Sequence, residues 1–277
     1  MSIVRTFTWL RAGLAVLAVA APLSGAAAQE CGNGSAGFDR WIAAYKTRAA
    51  TQGVSPRAIG AGLADTTYDN RVIGLDRGQK SFKLSFEQFY ARRVNASMIK
   101  RGQGIIAQRR ALFDQIEARY GVPGAILVAI WGLETNFGGD TGGRFSIVQS
   151  LATLAYDCRR SAFFENELTH ALKIIDRGDI PAERMRGGWA GEIGPMQFLP
   201  SSYNQYAVDF DGDKRRDLFA SVPDMLASTA NYMKQKGWKS GQPWGEGTAN
   251  HNVIREWNKA EVYVKTISVM AEKVAGR

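Results

Sequence analysis

The feature that most constrains this sequence is an uninterrupted apolar stretch near its middle. Residues 125–133 are all apolar or glycine, and Pro123 stands just before them. A helix of this composition has no polar face, so it must be buried on all sides within a globular core. Glu134 follows directly, and a glycine-rich loop occupies 136–144. The sequence therefore predicts a carboxylate at the edge of a helical core, facing a cleft.

The predicted position of Glu134 favours proton transfer. Loss of solvent disfavours the charged form of a carboxyl group, so burial raises its pKa and keeps part of the population protonated near neutral pH. A protonated carboxyl group is the general acid that cleavage of a glycosidic bond requires. The alternative interpretation is structural, namely a glutamate that caps the loop or pairs with an arginine.

Apolar side chains recur at helical spacing over most of the chain. Predicted helices cover 38–49, 82–94, 105–120, 147–156, 161–176 and 221–237. Ser55-Pro56 is typical of a helix start and Gly121 of a helix end. Strands and helices do not alternate, so we expect a mainly α fold with few short strands. A second glycine-rich loop, 187–200, has the composition of a segment that lets a ligand approach the backbone closely.

The N-terminal segment predicts export. Two arginines precede the apolar run 12–23, and the alanines at 26–28 fit a cleavage site, so 1–28 is predicted to be a signal peptide. The apolar run is too short for a stable membrane anchor, and we therefore expect a periplasmic protein with no membrane span. The net charge of +9 suits an anionic polymer such as peptidoglycan. Export argues against nucleic acid as the partner.

The chain has two cysteines, Cys31 and Cys158. In an oxidising compartment they can form one disulfide, and the alternative is a pair of buried thiols. In the chain-entropy description of cross-links, a loop of this length adds on the order of 4 kcal/mol to stability.

An acidic run after the second glycine-rich loop resembles the start of an EF-hand calcium loop. The candidate ligands are Asp209, Asp211, Asp213, Asp217 and, through its backbone carbonyl, Arg215. Lys214 replaces the usual glycine at position 6, and Ala220 replaces the glutamate at position 12. Asp224 is the candidate for the missing ligand. The alternative is a solvated acidic turn that binds no metal.

Three separated segments resemble the lytic murein transglycosylase B family. They read IWGLETNFGG, SLATLAYDCRRSAFFENEL and GGWAGEIGPMQFLPSSYNQYAVDFDGD. The resemblance implies a lysozyme-like, mainly helical α+β transglycosylase fold with few short strands. It further implies an N-terminal helical subdomain at 29–110, a catalytic core at 111–245 and a short segment at 246–277 that completes the cleft.

The resemblance also implies a reaction without water. The muramyl C6 hydroxyl attacks its own anomeric carbon, breaks the β-1,4 bond to N-acetylglucosamine and leaves a 1,6-anhydro end. Glu134 first donates a proton and then accepts one. Ordinary glycosidases need two carboxylates, and the sequence offers no convincing second one. The implied enzyme is a monomer that needs no catalytic cofactor, and calcium, which some members bind in the acidic loop, would be structural.

The family's substrate contacts fall on polar and aromatic residues spread along the chain. They are Gln197, Tyr232, Arg159, Arg160, Asn258, Tyr263 and Tyr90. The two arginines match a pair that binds peptide carboxylates, for which forked guanidinium groups are suited. Structural alternatives stay open: core packing for Tyr232, loop hydrogen bonds for Gln197 and a solvated surface pair for the arginines.

Two residues depart from the family pattern. Gly188 stands where serine is common, and Glu192 stands where the residue is usually small. Glu192 therefore leaves a true muramidase, which activates water with a second carboxylate, as one alternative. A non-catalytic peptidoglycan-binding protein is the other. The sequence has no H-E-x-x-H and no G-x-S-x-G motif, which argues against a zinc peptidase or amidase and against a serine hydrolase.

Overall fold

A computed structural model describes residues 31–78, 84–140 and 143–277. The predicted signal peptide lies outside these ranges. Helices dominate the described part, with a single two-stranded antiparallel sheet. In chain order the elements are α1 Phe38–Thr51, α2 Pro56–Leu63, α3 Asn70–Gly78, α4 Phe86–Arg93, α5 Ala96–Gln108, α6 Arg110–Tyr120, α7 Gly124–Thr135, β1 Phe145–Ser146, α8 Ile147–Tyr156, α9 Ser161–Arg177, a 3-10 turn at Ala182–Arg184, β2 Arg186–Gly187, α10 Pro200–Tyr206, α11 Val222–Gln235, α12 Ala249–Trp257 and α13 Glu261–Val274.

The predicted core helix is α7. Its residues 124–133 are all buried, which confirms the prediction from the apolar stretch. Helices α5 and α13 pack against it at small residues. A Cβ atom on Gly132 would lie 2.9 Å from the Met270 methyl group, and one on Gly102 would lie 2.9 Å from Cγ1 of Val128. Glycine at these two positions therefore permits the close approach of the helices that enclose α7.

Local signals fix several helix ends as the sequence predicts. The Ser55 hydroxyl accepts the N–H of Ala58 at 3.2 Å, with Pro56 in the first position of α2. Gly121 ends α6 with a φ of 75°. These caps satisfy backbone groups that a helix end would otherwise leave unpaired.

The prediction of one helix over 105–120 is wrong. The helix is interrupted at Arg109, whose φ of −121° and ψ of 30° separate α5 from α6. Its N–H bonds to the carbonyls of Ile105 and Ile106 at 3.1 and 3.3 Å, so α5 tightens before it ends. The break lets α5 pack on α7 while α6 packs on α11.

The long-range links hold the described chain, Cys31–Arg277, in one compact unit. Cys31 and Cys158 form a disulfide across 127 positions of sequence. The strands β1 and β2 pair Phe145 with Gly187, which places the start of the second glycine-rich loop next to the first. The three-part division of the chain stays a prediction.

No single helix in the described ranges has the length and apolar composition to cross a membrane. The pair Arg110–Tyr120 and Gly124–Thr135 meets those criteria only when its two helices, bent by 108°, are taken together.

Candidate active site

Glu134 lies in the last turn of α7, where the helix meets the first glycine-rich loop. Asn136 and Phe137 have φ values of 49° and 57°, and this left-handed backbone ends the helix sharply. The Thr135 hydroxyl donates to the carbonyl of Pro195 at 2.7 Å, which joins the helix end to the second glycine-rich loop. Glu134 is thereby held, partly buried, where the two loops meet.

The Glu134 carboxylate is surrounded by hydrogen-bond donors but has no ion-pair partner among the described residues. Trp257 donates its Nε1–H to Oε1 at 3.0 Å. Arg93 of α4 binds the carbonyl of Leu133 instead, and Tyr263 of α13 is buried nearby. Burial raises the pKa of Glu134, and this effect outweighs the opposing influence of Trp257, Tyr263 and Arg93.

Glu134 lines two cavities of different chemistry. The first, of about 480 Å³, carries three arginines from α4 and its neighbour α5, and we call it the basic cavity. Its arginines are Arg92, Arg93 and Arg101. The second, of about 350 Å³, has aromatic walls, and we call it the aromatic cavity. Its aromatic residues are Phe198, Tyr232 and Trp257. A polymer with apolar ring faces and negative groups finds complementary surfaces in the two cavities.

Three of the predicted substrate contacts line the aromatic cavity with Glu134. Gln197 sits in left-handed backbone, with a φ of 55°, and its amide donates to the carbonyl of Gly194 at 3.0 Å. Asn258 accepts the N–H of Ala260 at 2.9 Å. The Tyr232 hydroxyl donates to the carbonyl of Glu256 at 2.7 Å, so its hydrogen is already engaged within the protein.

The other two predicted tyrosines do not line either cavity. Tyr263 is buried behind Glu134, and its hydroxyl has no hydrogen bond of good geometry within the described ranges. Tyr90 packs its ring on Phe86 with centroids 5.6 Å apart. Tyr263 is therefore placed to act on the carboxyl group, whereas Tyr90 belongs to the packing of α4.

Arg159 and Arg160 lie outside the lining of both cavities and converge on a buried carboxylate that the sequence analysis missed. Asp76 of α3 receives Arg159 at 2.6 Å and also contacts Arg160. Arg77 adds a contact at 3.0 Å to Asp76 and one at 2.7 Å to Asp157. The charges of the predicted peptide-binding pair are thus partly neutralised by the protein itself. Asp76 is 83 positions from Arg159, and no local sequence pattern predicts an ion pair between such distant residues.

Trp257 is the second residue that the sequence analysis missed. It lies next to Asn258 in the segment EWN, and it reaches Glu134 across 123 positions of sequence. The signal was available in part, because the neighbouring asparagine was predicted to face the cleft.

The acidic loop brings four of its predicted ligands together. Carboxylate oxygens of Asp209, Asp211, Asp213 and Asp224 all lie within 4.8 Å of one another. Asp224 is fully buried and accepts the N–H groups of Phe210 at 2.7 Å and Asp217 at 2.9 Å.

The fifth predicted carboxylate, Asp217, is not in this group. Its Oδ1 accepts the N–H groups of Phe219 at 2.8 Å and Ala220 at 2.9 Å, as in a capped turn. Lys214 takes a φ of 70°, the conformation that glycine usually provides at position 6. Arg215 donates its N–H to Asp213 at 2.8 Å. The loop therefore has left-handed backbone at position 6 and four clustered carboxylates.

Residues 37–248 match the family described as Transglycosylase SLT domain. The chain belongs to this family. Membrane-bound lytic murein transglycosylase B of Escherichia coli K12 is 45% identical to it over 124 residues, which are 44% of this chain and 34% of that protein. The match thus spans about a third of the length of this curated relative.

Solved structures of transglycosylases share the fold. SltB3 from Pseudomonas aeruginosa, in complex with NAG-NAM-pentapeptide, is 31% identical with a TM-score of 0.81, over 87% of this chain and 80% of that chain. Escherichia coli Slt35, in complex with calcium, is 23% identical with a TM-score of 0.74, over 84% and 92% of the two chains. The predicted resemblance and the mainly helical, lysozyme-like fold are confirmed.

Proposed function

We propose that this chain is a lytic transglycosylase of peptidoglycan. The observation that carries the proposal is the environment of Glu134, which lines both cavities. Burial raises the pKa of its carboxyl group, and this group has no ion pair in the described part of the chain. Family membership and the likeness to a relative solved with NAG-NAM-pentapeptide support the same reaction. The substrate is the β-1,4 bond between N-acetylmuramic acid and N-acetylglucosamine.

The chemistry follows from the single acid. Protonated Glu134 donates its proton to the glycosidic oxygen as the bond from that oxygen to the muramyl anomeric carbon breaks. The resulting carboxylate then accepts the proton of the muramyl C6 hydroxyl, whose oxygen bonds to the same carbon. The product is a 1,6-anhydro end, and Glu134 returns to its protonated form. No water and no second carboxylate take part, in contrast to ordinary glycosidases.

The cavities suggest how the glycan is held. Gln197 and Asn258 offer amide groups to sugar hydroxyls in the aromatic cavity, while the Tyr232 and Trp257 rings offer apolar edges. Arg159 and Arg160 remain proposed contacts for stem-peptide carboxylates, reached from outside the two cavities. We also propose a periplasmic location, with 1–28 removed as a signal peptide, and a monomer as the active form.

Mass spectrometry of digested peptidoglycan tests the proposed reaction. The mature protein should release fragments with 1,6-anhydro ends, and Glu134→Gln should lower the rate by about 10²- to 10⁴-fold because it removes the transferable proton. Glu246→Gln, an exposed glutamate outside both cavities, is the matched control and should retain full activity. Reducing ends would identify a muramidase, and equal activity of the Glu134→Gln variant would refute the role of this residue.

We further propose that the acidic loop binds a structural calcium ion. Asp209, Asp211, Asp213 and Asp224 supply the clustered oxygen ligands that Ca²⁺ prefers. Calcium should raise the melting temperature of the protein relative to chelator, because a ligand that binds the folded state stabilises it. Asp213→Ala should remove that increase, whereas Glu246→Gln should keep it. An equal melting temperature with calcium and with chelator would leave the loop as a solvated acidic turn.

A further inference from the structure

The second glycine-rich loop folds the Glu192 side chain back onto its own backbone. Gly188 donates its N–H to the carbonyl of Glu192 at 3.0 Å, and Gly191 donates its N–H to the carbonyl of Gly188 at 3.2 Å. Within this tight turn the N–H of Ala190 donates to Oε2 of Glu192 at 2.9 Å. The carboxyl group is therefore fixed above the backbone of Gly188.

In this arrangement a side chain at position 188 would displace the Glu192 carboxyl group. A Cβ atom on Gly188 would lie 2.1 Å from Oε2 of Glu192 and 2.9 Å from its Cδ. Side-chain carbon atoms do not approach other atoms so closely, because repulsion rises steeply inside van der Waals contact. Gly188 and Glu192, the two departures from the family pattern, are therefore close enough to be sterically coupled. The glutamate carboxyl group takes the volume that a serine at position 188 would need.

The carboxyl group placed in this way belongs to the proposed active site. Glu192 lines the aromatic cavity together with Glu134 and Gln197. It has no ion-pair partner in the described ranges, and burial raises its pKa. When Glu192 is ionised, its negative charge opposes ionisation of Glu134 and so favours the protonated acid.

Other groups around Glu134 act in the opposite direction. Trp257, Tyr263 of α13 and Arg93 of α4 favour its ionised form. The other charged residues lining the two cavities are Arg92, Arg101, Asp140 and Glu256. Burial is the main cause that raises the pKa of Glu134, and Glu192 is the carboxylate from the second glycine-rich loop that adds to it.

We infer that Glu192 is a positioning residue that holds a carboxyl group in the same cavity as the catalytic acid and, when ionised, favours the proton-donating form of Glu134. This role rests on the proposed function, since it concerns the same proton transfers. It also assigns Gly188 a purpose, which is to leave space for that carboxyl group.

The pH dependence of glycan cleavage tests the electrostatic part. Glu192→Gln keeps the volume and an oxygen that can accept the N–H of Ala190, but it removes the charge. The alkaline limb of the rate profile, where Glu134 loses its proton, should move to lower pH by about 0.5 unit. Glu246→Gln is the control and should leave the profile in place. An unshifted profile for active Glu192→Gln would overturn the inference.

A double-mutant cycle tests the steric part without any enzymatic assay. Gly188→Ser should lower the melting temperature because its Cβ meets the Glu192 carboxyl group, and Gly188→Ser with Glu192→Ala should recover most of the loss. Additive losses in the double variant would show that the two positions are independent and would overturn the coupling. This measurement stays informative if Glu192→Gln folds poorly.

The outcomes separate this inference from the proposed function. Absence of cleavage by the unmodified protein contradicts the proposed function. Cleavage with anhydro ends, together with a shifted Glu192→Gln profile, supports both. Cleavage with reducing ends that disappear in Glu192→Gln would make Glu192 the base that activates water and would overturn its role as a positioning residue.

Discussion

Two carboxylates in this protein share low exposure but meet opposite electrostatic surroundings. Asp76 of α3 is 1% exposed and contacts Arg77, Arg159 and Arg160. Burial raises the pKa of Asp76, but its hydrogen bonds and charge interactions with Arg160 and Arg159 outweigh burial and hold the pKa below its usual value. The effect of burial on the pKa of Glu134 is opposed by Trp257, Tyr263 and Arg93, but burial outweighs them and the pKa is raised.

The difference shows that burial alone does not decide what a carboxyl group does. Arginines surround Asp76, and it remains an anion that organises the start of α9 and the end of α3. The cation nearest Glu134 is directed to a backbone carbonyl, so this group keeps the ability to exchange a proton. One site uses a carboxylate for structure, and the other uses a carboxyl group for chemistry.

Removal of the charge at Asp76 should give the largest effect on stability. Asp76→Asn leaves three arginines without their shared anion and should lower the free energy of unfolding by about 3 kcal/mol. The half-exposed arginines can regain water, which keeps the loss below that of a fully buried cluster. Denaturant titration measures the change. Glu246→Gln, in an exposed pair, should change it by less than about 0.5 kcal/mol, and an equally small change for Asp76→Asn would break the comparison.

The pH dependence of that loss sharpens the comparison. Because the pKa of Asp76 is lowered in the folded state, the unfolded chain binds the proton first as pH falls, so the stabilisation is complete above the unfolded pKa. It should disappear as pH falls through the folded pKa. The difference between the unmodified protein and Asp76→Asn, measured by denaturant titration from neutral to strongly acidic pH, should therefore shrink toward zero. A difference that stays constant would mean that the arginines do not act through the charge of Asp76.

Removal of the charge at Glu134 should change the free energy of unfolding in the opposite direction and by a smaller amount. Its pKa is raised, so ionisation destabilises the folded state as pH rises above the unfolded pKa. Glu134→Gln retains an oxygen for Trp257 and should raise the free energy of unfolding by about 1 kcal/mol at neutral pH. The gain should vanish in acid, where the native glutamate is protonated in both states. A loss of stability at neutral pH would mean that Glu134 has a structural role like that of Asp76.

The sequence predicts the elements of the fold and of the site whose signals are local. The apolar run of α7, the acid at its end, the Ser55 cap and the clustered aspartates of the acidic loop are all readable from neighbouring residues. The break at Arg109 is not, because the choice between one helix and two depends on the partners that α5 and α6 find in the core. The Asp76 cluster and the Trp257 contact join residues far apart in sequence. Only packing brings them together, and helical periodicity carries no information about it.

The disulfide has a consequence for the Asp76 cluster, since Cys158 lies between Asp157 and Arg159. The cross-link closes a span of 127 positions. It acts mainly by limiting the freedom of the unfolded chain, so the native contacts of the arginines need not change when it forms. In a reducing solution the ion pairs between Asp76 and the arginines next to Cys158 must form without this cross-link. The oxidised chain thus keeps Cys31 and Cys158 joined even while the surrounding side chains are transiently separated.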